Sequence, residues 1–304
     1  MKRNLQDDML TRVTVYVPVK SRSFFYLKSI ESLLRQSIRP YEILVVVTFD
    51  YDGILGIISE KFPNKNIRVV KTLKPGLGFA RNTALKKCKT RFLAGLDSDC
   101  VASENWLSEL ISFSKANNLS LCGGRLSETN YARLSDLFRK VHLRQDFGLF
   151  EIINPKFVFG DNHVIDVSAV RRKGIFFDDR FVSNYEDVDF SEKVIKAGLK
   201  TGYTPHAKVF HLLTENMRSV LDRDFNYGVY SYSLPDSFYR LLFRFVTEIY
   251  KGTRYFVSDL FSLRFRLIPV DFYLILHHCI KMAKVYRSCK PRKLSQKGNK
   301  KSEG

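Results

Sequence analysis

The feature that most constrains the fold of this chain is the alternation, through its first 120 residues, of short apolar runs with segments of helical periodicity. The run RVTVYVPV at 12–19 alternates valines with other residues and predicts a β-strand. Leu27, Ile30 and Leu34 then recur at helical spacing. The next run, EILVVV at 42–47, is short and almost wholly apolar, which is typical of a strand buried on both faces of a parallel sheet.

The same alternation continues to residue 122 and predicts the fold class. Further strands are predicted at 67–70, 91–96 and 119–122, with helices between them. Ser103 is expected to cap the helix that precedes the last of these strands. We therefore predict an α/β fold with a Rossmann-like, mostly parallel sheet flanked by helices.

The second half of the chain is less regular. Residues 127–157 are predicted to be an insertion with one amphipathic helix, and a helix at 186–197 is expected to end at Gly198. Composition changes after residue 214, where aromatic and basic residues become interleaved. We predict two domains, an α/β domain at 1–214 and a helical, basic extension at 215–304 with a disordered end.

The charge balance favours polyanionic partners. Lys and Arg number 50 against 31 Asp and Glu, a net charge of +19 that suits nucleic acid, anionic lipid or a phosphorylated substrate. The five cysteines include no CxxC pair, so a zinc ribbon or a disulfide framework is not predicted. Acidic residues near the start replace the apolar run of a secretion signal, and we expect a cytoplasmic protein.

Two carboxylates follow the predicted strand at 91–96. Asp97 and Asp99, separated by Ser98, would leave the carboxyl end of a parallel strand, where α/β sheets place ligand sites. Such pairs bind Mg²⁺ or Mn²⁺ together with substrate phosphates. The alternative is structural: the same acids make a turn and cap the following helix.

A second acidic group, Glu186, Asp187 and Asp189, falls at the start of the predicted helix at 186–197. The helix dipole favours acidic residues in a first turn, which is a sufficient structural explanation. A carboxylate here could also act as a general base toward an attacking hydroxyl group. This segment alone leaves both explanations open.

Seven segments, taken in order and spacing, resemble the inverting glycosyltransferases of family 2, which have the GT-A fold. They are VTVYVPVKSR (13–22), SIESLLRQSIRPYEILVVV (29–47), PGLGFARNTAL (75–85), LDSDC (96–100), FGDN (159–162), FDDRFVSNYEDVDFSEKVIKAGLKTGYTP (177–205) and HAKVFH (206–211). Their combination is more specific than either acidic group. The resemblance implies a metal-dependent, inverting glycosyltransferase of the hexosyltransferase type that uses a nucleotide-diphosphate sugar.

The resemblance also implies which residues carry the chemistry. Asp99 and Asp97 would bind the Mg²⁺ or Mn²⁺ ion, with His211 as a further metal ligand. Asp187 would be the catalytic base, and Glu186 would position the base or the acceptor. The alternative for His211 is a hydrogen-bonded core histidine.

Donor and acceptor sites follow from the same resemblance. The donor-binding residues would be Pro18, Val19, Asp52, Arg81, Asp97, Ser98 and Asp99. Arg81 would pair with the diphosphate through its planar set of donors, or else support its own helix from the surface. Asp161 and Asn162, in the segment FGDN, would bind the acceptor.

One position departs from the family. The family has an Asp directly after the second strand, in a run like VVDDGSTDG, whereas this chain has VVVTFDYDG with Val47 at that position. That acid normally helps to recognise the base, so either Thr48 or Asp50 replaces it or the donor is unusual. We expect a UDP-sugar or GDP-sugar donor.

The basic extension suggests a membrane surface. Its segment 262–284 is interrupted by Arg264, Arg266 and Asp271, whereas a spanning helix needs about 20 mostly apolar residues. We expect amphipathic helices at an anionic membrane, on its cytoplasmic face, close to a glycan or lipid-linked acceptor. The alternative is an ordinary helical subdomain with a disordered basic end.

Two other classes of function are open at this point. A basic chain could bind nucleic acid, but the basic residues form no recognised reading motif, so we expect no specific nucleic acid partner. A non-catalytic glycosyltransferase-like binding protein is the other alternative, suggested by Val47. Asp97, Asp99 and Asp187 favour an enzyme over such a protein.

Overall fold

The computed structural model describes residues 12–20, 24–181, 184–232 and 237–298. They form two compact units. One consists of the chain up to Thr129 together with Arg144–Leu213, and the other of Asn130–Leu143 together with the chain from Thr214 onward. Part of the predicted insertion thus belongs to the second unit. The predicted domain division between 214 and 215 stays a prediction.

The first unit is built on one mixed sheet. Its strands are β1 (Val13–Val19), β2 (Glu42–Val47), β3 (Ile67–Lys71), β4 (Phe92–Leu96), β5 (Cys100–Ala102), β6 (Leu121–Glu128), β7 (Ile152–Ile153), β8 (Asn162–Asp166) and β9 (Thr201–His211). They lie in the order β3-β2-β1-β4-β8-β6-β9-β5, with β7 beside β9. Strands β1 to β4 pair in parallel, and β8 lies antiparallel between β4 and β6.

Helices cover both faces of this sheet, and other helices make up the second unit. In chain order they are α1 (Phe25–Leu34), α2 (Tyr51–Lys61), α3 (Leu77–Lys87), α4 (Trp106–Ala116), α5 (Leu134–His142), α6 (Val167–Arg172), α7 (Glu186–Lys196), α8 (Met217–Tyr232), α9 (Phe238–Phe261) and α10 (Ile268–Gly298). Apolar residues of α1, α2 and α4 share one core, and those of α3, α6 and α7 share the other. The predicted α/β class and the C-terminal helices are confirmed.

Strand β1 shows how the sequence separates these two cores. Val13, Val15, Val17 and Val19 belong to the first core, and Tyr16 belongs to the second. Successive side chains of a strand point to opposite faces of the sheet, so the alternate valines lie on one side. Because helices cover both faces, apolar residues on both sides of β1 are buried.

Two helix ends test the predictions made from the local sequence. Gly198 lies beyond the last residues of α7 with a φ of 75°, as predicted, because this left-handed conformation is readily adopted by glycine. The prediction for Ser103 was wrong, since α4 begins at Trp106 after Asn105. Ser103 instead donates its backbone N–H to Lys208 of β9, so it extends the β5 edge of the sheet.

The second unit is helical among the described residues. It contains α5, α8, α9 and α10, and α10 continues to Gly298. The last part of the predicted disordered end, 299–304, lies outside the described residues. Within the part of the chain that the structure describes, no helix is both long and apolar enough to cross a membrane.

Candidate active site

Strand ends bring distant polar residues to one edge of the sheet. Asp97 follows β4, and Leu96 pairs with Asn162 at the start of the antiparallel β8. Glu128 and His211 pair with each other at the ends of the parallel strands β6 and β9. Since β8 runs against both β4 and β6, the carboxyl ends of β4, β6 and β9 meet at this edge, where α/β sheets bind ligands.

The loop that carries Asp97, Ser98 and Asp99 is fixed by its backbone. The N–H of Asp97 donates to the carbonyl of Asp161 at 3.1 Å, and the carbonyl of Ser98 accepts from the Ser29 hydroxyl at 3.1 Å. The side chains of Asp97 and Asp99 remain 29% and 27% exposed. Both predicted metal-binding carboxylates therefore stay accessible to a ligand.

The pairing of β5 with β9 places His211 beside Asp99, because Cys100 pairs with His211. Nε2 of His211 lies 3.5 Å from Oδ2 of Asp99, and Nδ1 lies 3.1 Å from Oε1 of Glu128. Burial alone would lower the pKa of His211, but the two carboxylates raise it to about 9. Glu128 was not predicted as a site residue, because only the strand pairing relates it to His211.

Arg81 of α3 lies at the centre of the group, with a side chain only 2% exposed. Its guanidinium nitrogen Nη2 lies 3.3 Å from Oε1 of Glu186 and 3.7 Å from Oδ1 of Asp97. Nη1 donates to the Gly160 carbonyl and, at 3.4 Å, to the Tyr16 hydroxyl. Arg81 is therefore not a surface residue, and its predicted contact with a diphosphate stays a prediction.

Gly160 is required by the position of this guanidinium group. A Cβ atom built at Gly160 would lie 2.5 Å from Nη2 of Arg81. His163 also bonds the Gly160 carbonyl through Nδ1 at 2.9 Å, and its Nε2 lies 3.1 Å from the Tyr16 hydroxyl. Tyr16 and His163 were not predicted as site residues, and burial lowers the pKa of His163 to about 3. The imidazole is thus a neutral part of the scaffold around Arg81.

The neighbouring acids Glu186 and Asp187 have different environments. Burial raises the pKa of Glu186 to about 7, although Arg81 opposes this effect. Asp187 is only half-buried, and its carboxylate accepts the N–H of Gly160 at 3.0 Å and that of Val188 at 2.9 Å. Burial raises the pKa of Asp187 as well, against Arg81 and these hydrogen bonds. Asp187 is thus held in one orientation while it remains partly accessible.

Asp161 has a carboxylate without a hydrogen-bond partner among the described residues. It is 7% exposed, and neither of its carboxylate oxygens is bonded. Burial, together with the charges of Asp97 and Asp187, raises the pKa of Asp161 well above its ordinary value. A buried carboxylate without a partner is costly, so this position favours a bound cation or a ligand hydroxyl group.

The remaining predicted site residues lie in several environments. Asn162 is fully buried, accepts from the Trp106 indole at 2.6 Å and donates to the Ala207 carbonyl at 3.0 Å. Its side chain thus supports the scaffold. Pro18 and Val19 are buried at the end of β1, whereas Asp52 is exposed in the first turn of α2.

A second group of potential metal ligands lies in the helical unit. One ligand atom from each of His142, Asp259 and Asp271 lies within 4.8 Å of the others. Nε2 of His142 already lies 2.9 Å from Asp259, and Arg264 donates to Asp259 at 2.8 Å. This group is separate from the predicted metal residues of the first unit.

Comparison with known sequences places the chain among glycosyltransferases. Residues 14–177 match the family described as "Glycosyl transferase family 2". The pre-mycofactocin glycosyltransferase of Mycobacterium tuberculosis strain H37Rv is 28% identical over 71% of this chain, which spans 46% of that relative. The Escherichia coli protein named UDP-Glc:alpha-D-GlcNAc-diphosphoundecaprenol beta-1,3-glucosyltransferase is 33% identical over 41% of this chain and 48% of its own length. This chain thus spans less than half the length of these relatives.

Comparison with solved structures shows the fold. The crystal structure of S. aureus TarS 1–349 in complex with UDP-GlcNAc matches 72% of this chain and 66% of its own chain, with a TM-score of 0.55 and 16% identity. A second TarS structure matches 91% of this chain and 55% of its own, with the same TM-score and 14% identity. The predicted GT-A architecture is confirmed.

Proposed function

The chain belongs to glycosyltransferase family 2, and from this membership we propose that it transfers a sugar from a nucleotide-diphosphate sugar to an acceptor hydroxyl group. One observation carries the proposal: Asp97, Asp99, Asp161 and Asp187 are gathered at one sheet edge around the buried Arg81. Burial raises the pKa values of Asp97, Asp161 and Asp187, and clustered carboxylates with shifted pKa values are typical of catalytic sites.

We propose Mg²⁺ or Mn²⁺ as the cofactor, with Asp97, Asp99 and His211 as its ligands. The residues fit a hard divalent cation because two partly exposed carboxylates share one loop and Nε2 of His211 lies 3.5 Å from Asp99. His211 would bind the cation as a neutral imidazole, so cation binding would release the proton that Asp99 and Glu128 otherwise favour. The carboxyl group of Asp161, which has no hydrogen-bond partner among the described residues, lies next to Asp97 and could supply a further oxygen ligand. When bound, such a cation neutralises charge that develops on the diphosphate leaving group.

The protein's own residues supply the base. We propose that Asp187 removes the proton of the acceptor hydroxyl group while the oxygen attacks the anomeric carbon and the bond from this carbon to the diphosphate breaks. Its raised pKa makes it a better proton acceptor, and two backbone N–H groups orient it. A single displacement of this kind inverts the anomeric configuration, and Glu186 positions the base through Arg81.

Arg81 would position both halves of the site, because it lies between Asp97 and Glu186. The donor site is proposed to include Pro18, Val19, Asp52, Arg81, Asp97, Ser98 and Asp99. The acceptor site is proposed to include Asp161, whose unbonded oxygens could accept from a hydroxyl group, with Asn162 behind it. This arrangement would place the acceptor oxygen beside Asp187.

The proposed donor is a UDP-sugar or GDP-sugar, and the proposed acceptor is a glycan or a lipid-linked glycan. The TarS structure contains UDP-GlcNAc, and the E. coli relative is named for an acceptor linked to diphosphoundecaprenol. A lipid-linked acceptor and the net charge of +19 together favour a location on the cytoplasmic face of an anionic membrane.

The test is donor binding, measured by thermal shift with a panel of nucleotide sugars in the presence and absence of Mn²⁺. Wild type should be stabilised by one donor class only when Mn²⁺ is present, and Asp99→Ala should lose this stabilisation. Asp179→Ala, which removes an exposed acid of the same unit, is the matched control and should behave as wild type. Stabilisation by none of the donors would contradict the transferase proposal, and metal-independent stabilisation would contradict the cation site.

A further inference from the structure

Helix α9 has its polar and apolar faces reversed relative to a helix of an ordinary water-soluble protein. Its buried residues are Leu241, Arg244, Glu248, Gly252, Tyr255 and Asp259. Its exposed large apolar residues are Phe238, Tyr239, Leu242, Phe243, Val246, Ile249, Tyr250, Val257, Leu260 and Phe261. A surface helix normally directs its apolar stripe toward the core, and α9 directs it toward the surroundings.

The buried face of α9 is polar because charged partners meet it inside the second unit. Glu248 lies 2.8 Å from Nδ1 of His278 on α10 and 2.8 Å from Nζ of Lys251. Asp259 is bonded by His142 of α5 and by Arg264. These buried pairs fix which side of α9 faces inward, so the outward apolar face is a consequence of the packing.

The apolar surface continues beyond α9. The turn after α9 exposes Leu263 and Phe265, and α10 exposes Phe272, Tyr273, Leu276 and Ile280. We call this set, together with the exposed apolar residues of α9, the outer apolar face. Phe256 of α9 and Phe272 of α10 are in ring contact at 5.4 Å, so the exposed apolar residues of the two helices lie on packed neighbours. Scattered apolar residues are ordinary on a protein surface, but so many on two adjoining helices mark a binding surface.

The charges around the outer apolar face identify its partner. The acids of residues 237–298 are Glu248, Asp259 and Asp271, and all three are buried. Among residues 237–288, whose burial the structure describes, the exposed basic side chains are Arg240, Arg254, Arg266, Lys284 and Arg287. The surface is therefore apolar and cationic without an exposed acid. Two copies of such a face would oppose like charges, whereas anionic lipid headgroups supply the opposite charge.

We propose that the outer apolar face is the membrane-binding surface of this protein, with α9 lying in the interface of an anionic bilayer. Charged residues such as Arg244, Glu248 and Asp259 interrupt α9 along its length, which suits a helix that lies along the surface. Its aromatic residues enter the boundary between headgroups and acyl chains, and the basic residues contact the headgroups. The inference deepens the membrane location proposed above and does not depend on glycosyl transfer.

The test uses the full chain and vesicles of phosphatidylcholine, with or without 30% phosphatidylglycerol. Wild type should sediment with the anionic vesicles at least tenfold more strongly than with neutral ones. Phe243→Gln with Val246→Gln should reduce binding to anionic vesicles at least tenfold. Leu149→Gln with Phe150→Gln is the matched control, because it alters exposed apolar residues of the first unit, and it should bind as wild type does.

Insertion is measured separately with phosphatidylcholine brominated along its acyl chains, mixed with phosphatidylglycerol. The fluorescence of Phe243→Trp should be quenched, whereas that of Phe150→Trp should not; the fully buried Trp106 gives a constant background. Equal quenching in both variants, or no binding of wild type to anionic vesicles, would overturn the proposal. A stable oligomer that Phe243→Gln with Val246→Gln dissociates, without vesicle binding, would assign the face to a second copy instead.

The same variants separate this inference from the proposed function. Donor binding in the thermal-shift assay should be unchanged in Phe243→Gln with Val246→Gln, because none of the proposed site residues lies in α9. Loss of vesicle binding with intact donor binding supports the membrane surface. Intact vesicle binding without donor binding would contradict only the transferase proposal.

Discussion

Glu186 and Asp187 are neighbours in the sequence, but the structure gives their carboxylates different partners. Glu186 is buried against Arg81, whereas Asp187 is half-buried and is oriented by the N–H groups of Gly160 and Val188. A residue that must take a proton from an acceptor needs access to it. The difference in exposure therefore favours Asp187 as the base and Glu186 as a positioning residue.

Asp187→Asn should lower kcat by about 10²-fold to 10⁴-fold, the range expected for loss of a general base. Donor binding should change little, because Asp187 is not one of the proposed donor-site residues. The Tm should fall modestly, because the amide nitrogen of Asn cannot accept one of the two N–H bonds from Gly160 and Val188. Steady-state kinetics measure the effect. Glu192→Gln, on the same helix but in an exposed ion pair with Lys196, is the control and should keep wild-type kcat. A near wild-type kcat in Asp187→Asn would exclude its role as base.

The pH profile of wild type should report the same base. A base acts when deprotonated, so kcat/KM should fall as the pH drops through the pKa of Asp187. Burial raises that pKa above the ordinary value of about 4, and the acid limb of the profile should move up with it. An acid limb at or below pH 4 would contradict the assignment.

Gly160→Ala should disturb Arg81 directly. The new Cβ atom would lie 2.5 Å from Nη2 of Arg81, so the guanidinium group or the loop must shift, and the contacts with Glu186 and Asp97 change. We expect a lower Tm and a kcat reduced at least tenfold. Gly56→Ala is the matched control, because its Cβ would meet nothing within 4 Å in helix α2 and alanine favours a helix by about 1 kcal/mol. An unchanged kcat in Gly160→Ala would show that the position of Arg81 is not critical.

At the scale of elements, the helices of the second unit are joined by buried charges. Burial, together with the nearby Asp259, raises the pKa of Asp271 on α10 to about 7. In the unfolded chain an aspartate loses its proton near pH 4. Between these values the unfolded state binds fewer protons, so Asp271 lowers the stability of the folded protein progressively as the pH rises.

Asp271→Asn should therefore gain stability relative to wild type as the pH rises from 5 to 8. The amide stays neutral throughout, so the difference in Tm between the variant and wild type should increase over this range. Asp222→Asn is the contrasting control, because bonds from Lys281 and His277 lower the pKa of Asp222 against the effect of burial. It should be less stable than wild type at pH 7. A pH-independent difference for Asp271→Asn would contradict a raised pKa.

At the scale of the whole molecule, the outer apolar face and the net charge of +19 should govern solution behaviour. Exposed apolar surface of this extent promotes association in water. Because like charges on the face oppose a stable oligomer, light scattering should show only polydisperse association without a fixed size. This association should increase with salt, which screens the repulsion, and disappear in a non-ionic detergent above its critical micelle concentration. The double variant Phe243→Gln with Val246→Gln should become monodisperse at a lower detergent concentration than wild type. If both need the same concentration, another surface drives the association.

The sequence by itself determined the α/β architecture and the helix end at Gly198. Strand and helix periodicities are local, and they identified β1, β2, β4 and the helix that ends before Gly198. Family resemblance added the acids Asp97, Asp99 and Asp187 as candidates for the site. These features could be predicted because each depends on residues close together in the chain.

Only the tertiary structure decided which distant residues meet. Strand pairing brings Glu128 and His211 together, and it places His211 beside Asp99. Helix packing buries Arg81 between Asp97 and Glu186, where the sequence had left a surface role open. The orientation of α9 was also decided by the tertiary structure. The sequence predicted amphipathic helices in this region, but the buried charges of neighbouring helices determine which face of α9 turns inward. Long-range pairing and packing select among alternatives that local sequence does not distinguish.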